Sequence, residues 1–126
     1  MILLNFSHPL TENQLQQIGT ETGHSDFDLR EIKTHFDHQR PFAQQVTALI
    51  DKLNIDATTW QTKPILINPP SFNLIALTLL AELNGRMGYF PAVIRLKPIP
   101  NSLPPQFEFA EIINLQVIRD QARGQR

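Results

Sequence analysis

Apolar positions in the chain fall into short dense runs and longer spaced ones, and the two spacings predict different elements. Ile2-Leu3-Leu4 is dense and stops at Asn5-Phe6-Ser7-His8-Pro9, which predicts a strand over 1–7. Thr11 with Gln14 three residues on forms a capping box, and Leu10 and Leu15 fit a hydrophobic staple, so a helix starts at 11–12. Its apolar face is thin (Leu15, Ile18), and Gly19 and Gly23 place its end within 18–23. Phe27, Leu29 and Ile32 alternate imperfectly with charges, as in an edge strand over 26–33.

After Arg40-Pro41 the pattern turns helical. Phe42, Val46, Leu49, Ile50 and Leu53 line one face, with Pro41 suited to the first helical position. A connector through Trp60 leads to 64–68, whose Ile65-Leu66-Ile67 run predicts a central strand covered on both faces. Ser71 is placed to cap a helix that runs to Asn84-Gly85. Apolar residues cover most of that helix's circumference, which implies burial on more than one side and hints at a subunit interface. The rest predicts a strand at 92–97, a proline-rich loop, a strand at 107–114 and a short basic helix with Arg119, Arg123 and Arg126, its tail frayed over 120–126. Strands alternating with helices predict an α/β domain with an open, mostly parallel sheet flanked by helices, the last strand antiparallel.

Composition narrows the function. A length of 126 residues fits a single domain over 1–126. With no cysteine there is neither a disulfide framework nor a thiolate metal site, and a reducing cytoplasm is the expected setting. The start "MILLNF" lacks a basic n-region, and the run Leu74–Leu83 is too short and too polar at Thr78 and Glu82 to span a bilayer, so no membrane association is expected. A formal net charge of −1 gives no broad positive field, which argues against duplex nucleic acid as a partner. A small anion remains compatible, because backbone N–H groups and a few arginines can hold phosphate without a basic surface.

Two loops draw attention on that ground. "LLNFSHPLT" and "ILINPPSFN" share a design: an apolar strand ends in asparagine, proline and serine just before a helix. In an open parallel sheet both lie at the carboxyl edge, where ligands bind. Ser7, Asn68 and Ser71 add polar groups, helix N-termini add N–H donors, and the prolines keep the loops stiff. The same residues are also ordinary capping and turn chemistry. His8 can transfer a proton near neutral pH, although a loop histidine is more often structural or solvated. His35 and His38 flank Asp37 without a third ligand at a recognisable spacing, so no metal is expected. Gly85-Arg86-Met87-Gly88-Tyr89 reads as a turn on the opposite edge, in which Arg86 could meet a ligand or a neighbouring subunit.

"NFSHPLT", "RPFAQQ", "WQTKPILINPPS", "LLAELNGRMGYFP" and "FEFAEIINLQVIRDQAR" together resemble a small CRISPR-associated family, the fifteenth of the Csx series of type III accessory proteins, over nearly the whole chain except about 20–35. The resemblance implies a CARF-like, Rossmann-like domain that handles cyclic oligoadenylate, usually cyclic tetra-adenylate; no cofactor is expected. Its binding loops map onto Ser7 and His8, and onto Asn68, Pro69, Pro70, Ser71 and Asn73. The second turn departs from the wider CARF pattern: it is Pro-Pro-Ser rather than glycine-rich, and it has no lysine. Phosphate contact then falls to backbone N–H groups, Ser71, and Arg86, Arg95 or Lys97.

Three outcomes remain open. A metal-independent ring nuclease would cleave the ligand by aligning a ribose 2′-OH with phosphorus, with His8 and Ser7 as candidate catalytic groups. A non-catalytic binder would lower free messenger by sequestration, which the lone imidazole at the site, the missing lysine and the apolar surface suited to self-association favour. A messenger-independent interaction domain is the third. A symmetric ring suits a homodimer, and a head-to-tail contact through Arg86 would permit a larger, ligand-dependent assembly.

Overall fold

The computed structural model describes residues 1–126. Ten elements follow in order: β1 (Ile2–Asn5), α1 (Glu12–Thr22), β2 (Asp28–Glu31), α2 (Phe42–Asp51), α3 (Ala57–Thr62), β3 (Ile65–Asn68), α4 (Asn73–Met87), β4 (Ala92–Pro98), β5 (Phe107–Asn114) and α5 (Leu115–Arg123). They build one five-stranded sheet in the order β2-β1-β3-β4-β5. The first four strands in that order are parallel to one another, and β5 returns antiparallel to β4. This is a Rossmann-like α/β domain, with β2 at one edge as its broken alternation predicts.

Every residue of β1 and β3 is buried, because helices cover both faces of the sheet centre. Side chains alternate between the faces. Ile2, Leu4, Ile65 and Ile67 join Val46, Ile50, Trp60, Leu79 and Leu83 beneath α2, α3 and α4. Leu3, Leu66 and Ile94 meet Ile18 beneath α1. The thin face of α1 suffices because this second cluster is small. Its capping box is present, with Gln14 N–H donating to Thr11 Oγ1 at 3.1 Å and Thr11 N–H donating to Gln14 Oε1 at 2.9 Å. The helix stops at Gly23, whose φ of 73° closes the last turn.

Four expectations change. The connector through Trp60 contains a helix, α3, capped by Asp56, whose side chain accepts from Thr59 N–H; that bond holds the Asp56 carboxyl below the usual carboxylate range. Ser71 does not cap α4: Phe72 holds the cap position and no side chain bonds the first turn. Nor does α4 end at Asn84-Gly85. It continues to Met87 and closes at Gly88 with φ 83°, because Met87 extends the buried row Ile75, Leu79, Leu83 by one more turn. Finally, α5 remains helical through Arg123, with Asn114 Oδ1 accepting from Val117 N–H, rather than fraying from 120.

No helix is long and apolar enough to cross a membrane.

Candidate functional site

The carboxyl ends of β2, β1 and β3 lie side by side, and their registers put Glu31, Asn5 and Asn68 on one level. These side chains form a polar rung across three strands. Asn5 Nδ2 donates to Glu31 Oε2 and to the His8 carbonyl, each at 2.9 Å. Its Oδ1 accepts from Ser7 N–H at 3.0 Å and from Asn68 Nδ2 at 2.9 Å. Asn5 is fully buried, and these four bonds use the whole capacity of its amide. The matching asparagines at the two strand ends therefore pair with each other, and one of them shapes the loop that carries Ser7 and His8.

Backbone bonds extend the same level. Phe6 N–H donates to the Asn68 carbonyl and Ile32 N–H to the Asn5 carbonyl, both at 2.9 Å. The result is a ridge, made of Ser7-His8-Pro9 from the β1–α1 loop and Pro70-Ser71 from the β3–α4 loop, with an open cleft on each side.

The first cleft, about 520 Å³, lies towards β2 and is lined by Phe6, Glu31, Ile32, Lys33, Thr34, Phe72 and Ile75 besides the ridge. The second, about 820 Å³, lies towards α1 and the β4–β5 hairpin. Asn68 and Pro69 line it, together with Asn13, Gln14, Gln17, Arg95 and Gln106. Gln14 Nε2 donates to the Phe107 carbonyl and Gln17 Oε1 accepts from Phe109 N–H, which ties α1 to β5 as the far wall. Both volumes suit a nucleotide-sized ligand.

Of the residues expected at the site, Ser7, His8, Pro70 and Ser71 converge on the ridge, and Asn68 and Pro69 lie beside it. Asn68 is 5% exposed, and its amide nitrogen donates to Asn5 Oδ1, so its contribution is chiefly to hold the two loops together. Asn73 opens α4 and lines neither cleft. Without a side-chain cap, the leading N–H groups of α4 stay open beside Ser71. The His8 side chain is exposed and makes no hydrogen bond within the protein that would orient it.

Arg86 is elsewhere. It sits in the last turn of α4, about 20 Å along the helix from the ridge at roughly 1.5 Å per residue. Its guanidinium donates to Asp51 Oδ1 at 2.7 Å and to Glu82 Oε1 at 3.2 Å. The Asp51 bond raises its pKa beyond the ordinary arginine value; burial opposes that rise, and the bond and charge of Glu82 add to it. Residues 85–87 are thus helix rather than loop, and Arg86 is engaged within its own chain. Arg95 lines the second cleft but pairs with Glu111 at 2.7 Å, and Lys97 faces Glu108 at 3.6 Å.

No group of three His, Cys, Asp or Glu residues is placed to hold a metal ion. His38 belongs instead to an aromatic cluster. Its ring meets Phe42 at 5.4 Å and Phe72 at 5.3 Å, both edge to face. Asn5, Glu31 and Phe72 are the site residues that sequence reasoning missed. The available signal was the matched endings ILLN and ILIN, which would pair two asparagines if the strands were adjacent and in register.

No protein-family model matches the chain, and neither a curated protein nor a solved structure does.

Proposed function

We propose that the protein binds cyclic oligoadenylate, with cyclic tetra-adenylate as the first candidate, and lowers its free concentration by holding it intact, in the reducing cytoplasm that a cysteine-free chain suits. The observation that carries this reading is the ridge. Two strand-end loops, locked together by the Asn5–Asn68 bond, stand between two open clefts, so a ring can lie across the ridge and reach into both. Open N–H groups at α4 and the Ser7 and Ser71 hydroxyls supply neutral donors for phosphodiester oxygens. Arg95 and Lys97 are paired, which leaves Lys33 in the first cleft as the cation there outside any ion pair.

Sequestration is favoured over cleavage because the ridge offers one imidazole and no partner to orient it. Ring cleavage is the second reading, and His8 on the ridge is what keeps it: a histidine there could protonate a leaving oxygen once the ligand itself fixed the ring. The protein is further proposed to act as a homodimer, whose two-fold axis matches the repeat symmetry of the ligand.

Labelled cyclic tetra-adenylate incubated with excess protein tests this directly. Half of the mixture is run on a native gel and half is denatured and chromatographed. Sequestration predicts a shifted complex and an intact ring, with His8→Ala leaving the ring intact as well. A linear product that disappears in His8→Ala would replace sequestration by ring cleavage. An unshifted label would remove the messenger altogether and leave a messenger-independent interaction domain.

A further inference from the structure

The two clefts differ in chemistry, and the difference says which part of a nucleotide each would take. The first is floored by Phe6, Ile32 and Ile75 and walled by Phe72. Phe72 is 41% exposed, yet its ring is fixed: His38 stands against it at 5.3 Å and 84°, Phe42 at 5.9 Å and 87°. His38 and Phe42 are themselves edge to face at 5.4 Å and 86°. Three mutually perpendicular rings brace one another, so Phe72 offers a partly ordered aromatic ring at reduced ordering cost on binding.

Glu31 lines the same cleft. One carboxylate oxygen is held by the fully buried Asn5, and the other makes no hydrogen bond within the protein. A fixed carboxylate repels phosphate and accepts from a neutral donor. An exposed aromatic ring and an acceptor-only group together fit a planar ring bearing an exocyclic amine.

We propose that this cleft is the base subsite of the ligand: it takes an adenine ring against Phe72, and Glu31 accepts from the ring's exocyclic amine. The sugar–phosphate path then crosses the ridge towards the second cleft, away from Glu31. The inference rests on the cyclic oligoadenylate reading and adds to it the group by which the base is told apart. Glu31 acts as a specificity residue and Asn5 as the positioning residue that holds its carboxylate.

The test compares the affinity of the full chain for cyclic tetra-adenylate and for cyclic tetra-inosinate, in which a carbonyl oxygen replaces each amine. Wild-type protein is expected to bind the inosinate about ten- to a hundredfold more weakly, because its carbonyl faces a carboxylate. In Glu31→Gln the side-chain oxygen keeps the Asn5 bond and the amide N–H₂ meets the ligand, so the adenylate weakens, the inosinate strengthens and the preference collapses. Loss of fold cannot produce that crossed change. Phe72→Leu is expected to weaken both ligands by about tenfold or more through lost stacking. Equal affinity of the wild type for the two rings, unchanged in Glu31→Gln, would overturn the base subsite and leave the messenger reading standing. Failure of the wild type to bind either ring would overturn both.

Discussion

Asn5 shows how much one side chain can decide when it is buried at a strand end. Its amide joins β1 to β2 through Glu31, β1 to β3 through Asn68, and turns the following loop through Ser7 and His8. Asn5→Leu, of similar shape, would strand those partners at a fully buried position; at about 1–3 kcal/mol for each unsatisfied buried group, partly relieved by water from the clefts, a loss of about 2–4 kcal/mol is expected. Urea unfolding followed by fluorescence of Trp60, the only tryptophan, measures it. Asn5→Asp makes a sharper prediction. It places a second carboxylate within hydrogen-bond range of Glu31, so the pair holds a proton more tightly folded than unfolded. Relative to wild type, this variant should be least stable near neutral pH and should recover as pH falls through that raised value. A pH-independent deficit would mean that the introduced carboxylate turns away from Glu31 and that the rung is not a rigid unit.

At the scale of elements, the outcome of sequence reading depended on whether the deciding contact was local. The capping box of α1 lies within four residues and was legible, as were the dense runs of β1 and β3. The end of α4 was not, because Gly85 and Gly88 look alike in sequence and only the fold decides which one leaves the helix. Met87, 2% exposed beneath the core, carries the helix past Gly85. Ser71 failed as a cap for a similar reason: the β3–α4 loop is held by the pairing of Asn5 with Asn68, a contact across sixty-three positions in sequence. The candidate site was legible as two loops and not as a rung or a pair of clefts, since those require strand order and register. The two glycines give the test. Gly85 sits inside the helix with open space around its Cβ position, so Gly85→Ala should stabilise by about 0.5–1 kcal/mol. Gly88 has φ 83°, so Gly88→Ala should destabilise by about 1 kcal/mol despite equal space. The same sign for both in thermal unfolding would place the helix end elsewhere.

Over the whole molecule, apolar surface is left uncovered on α4 and on α5. Leu74 and Leu77 on α4 are 53% and 62% exposed, and Val117 and Ile118 on α5 are 46% and 51% exposed. Between the two helices runs a groove of about 170 Å³ lined by Leu77, Leu80, Pro91, Val93 and Leu115. α5 has no buried residue, and a helix of nine residues is too short to be stable on its own, so it gains from a partner that covers its apolar face. A second copy fits: a two-fold axis beside α4 would set each strip of leucines against its equivalent, and the ridge at the start of each α4 would approach its partner across the same axis. Such a pair would be the homodimer proposed above for a ring with repeated units. Sedimentation equilibrium should give twice the chain mass of 14.4 kDa, and Leu77→Glu, at an exposed helical position, should return the monomer with its helical content intact. The variant also separates assembly from binding. If one ring is shared between two ridges, Leu77→Glu weakens cyclic tetra-adenylate as well as the dimer; if each ridge holds its own ring, affinity survives in the monomer. Wild-type protein that stays at 14.4 kDa with and without the ring would leave the apolar strip to a different partner and end the dimer proposal.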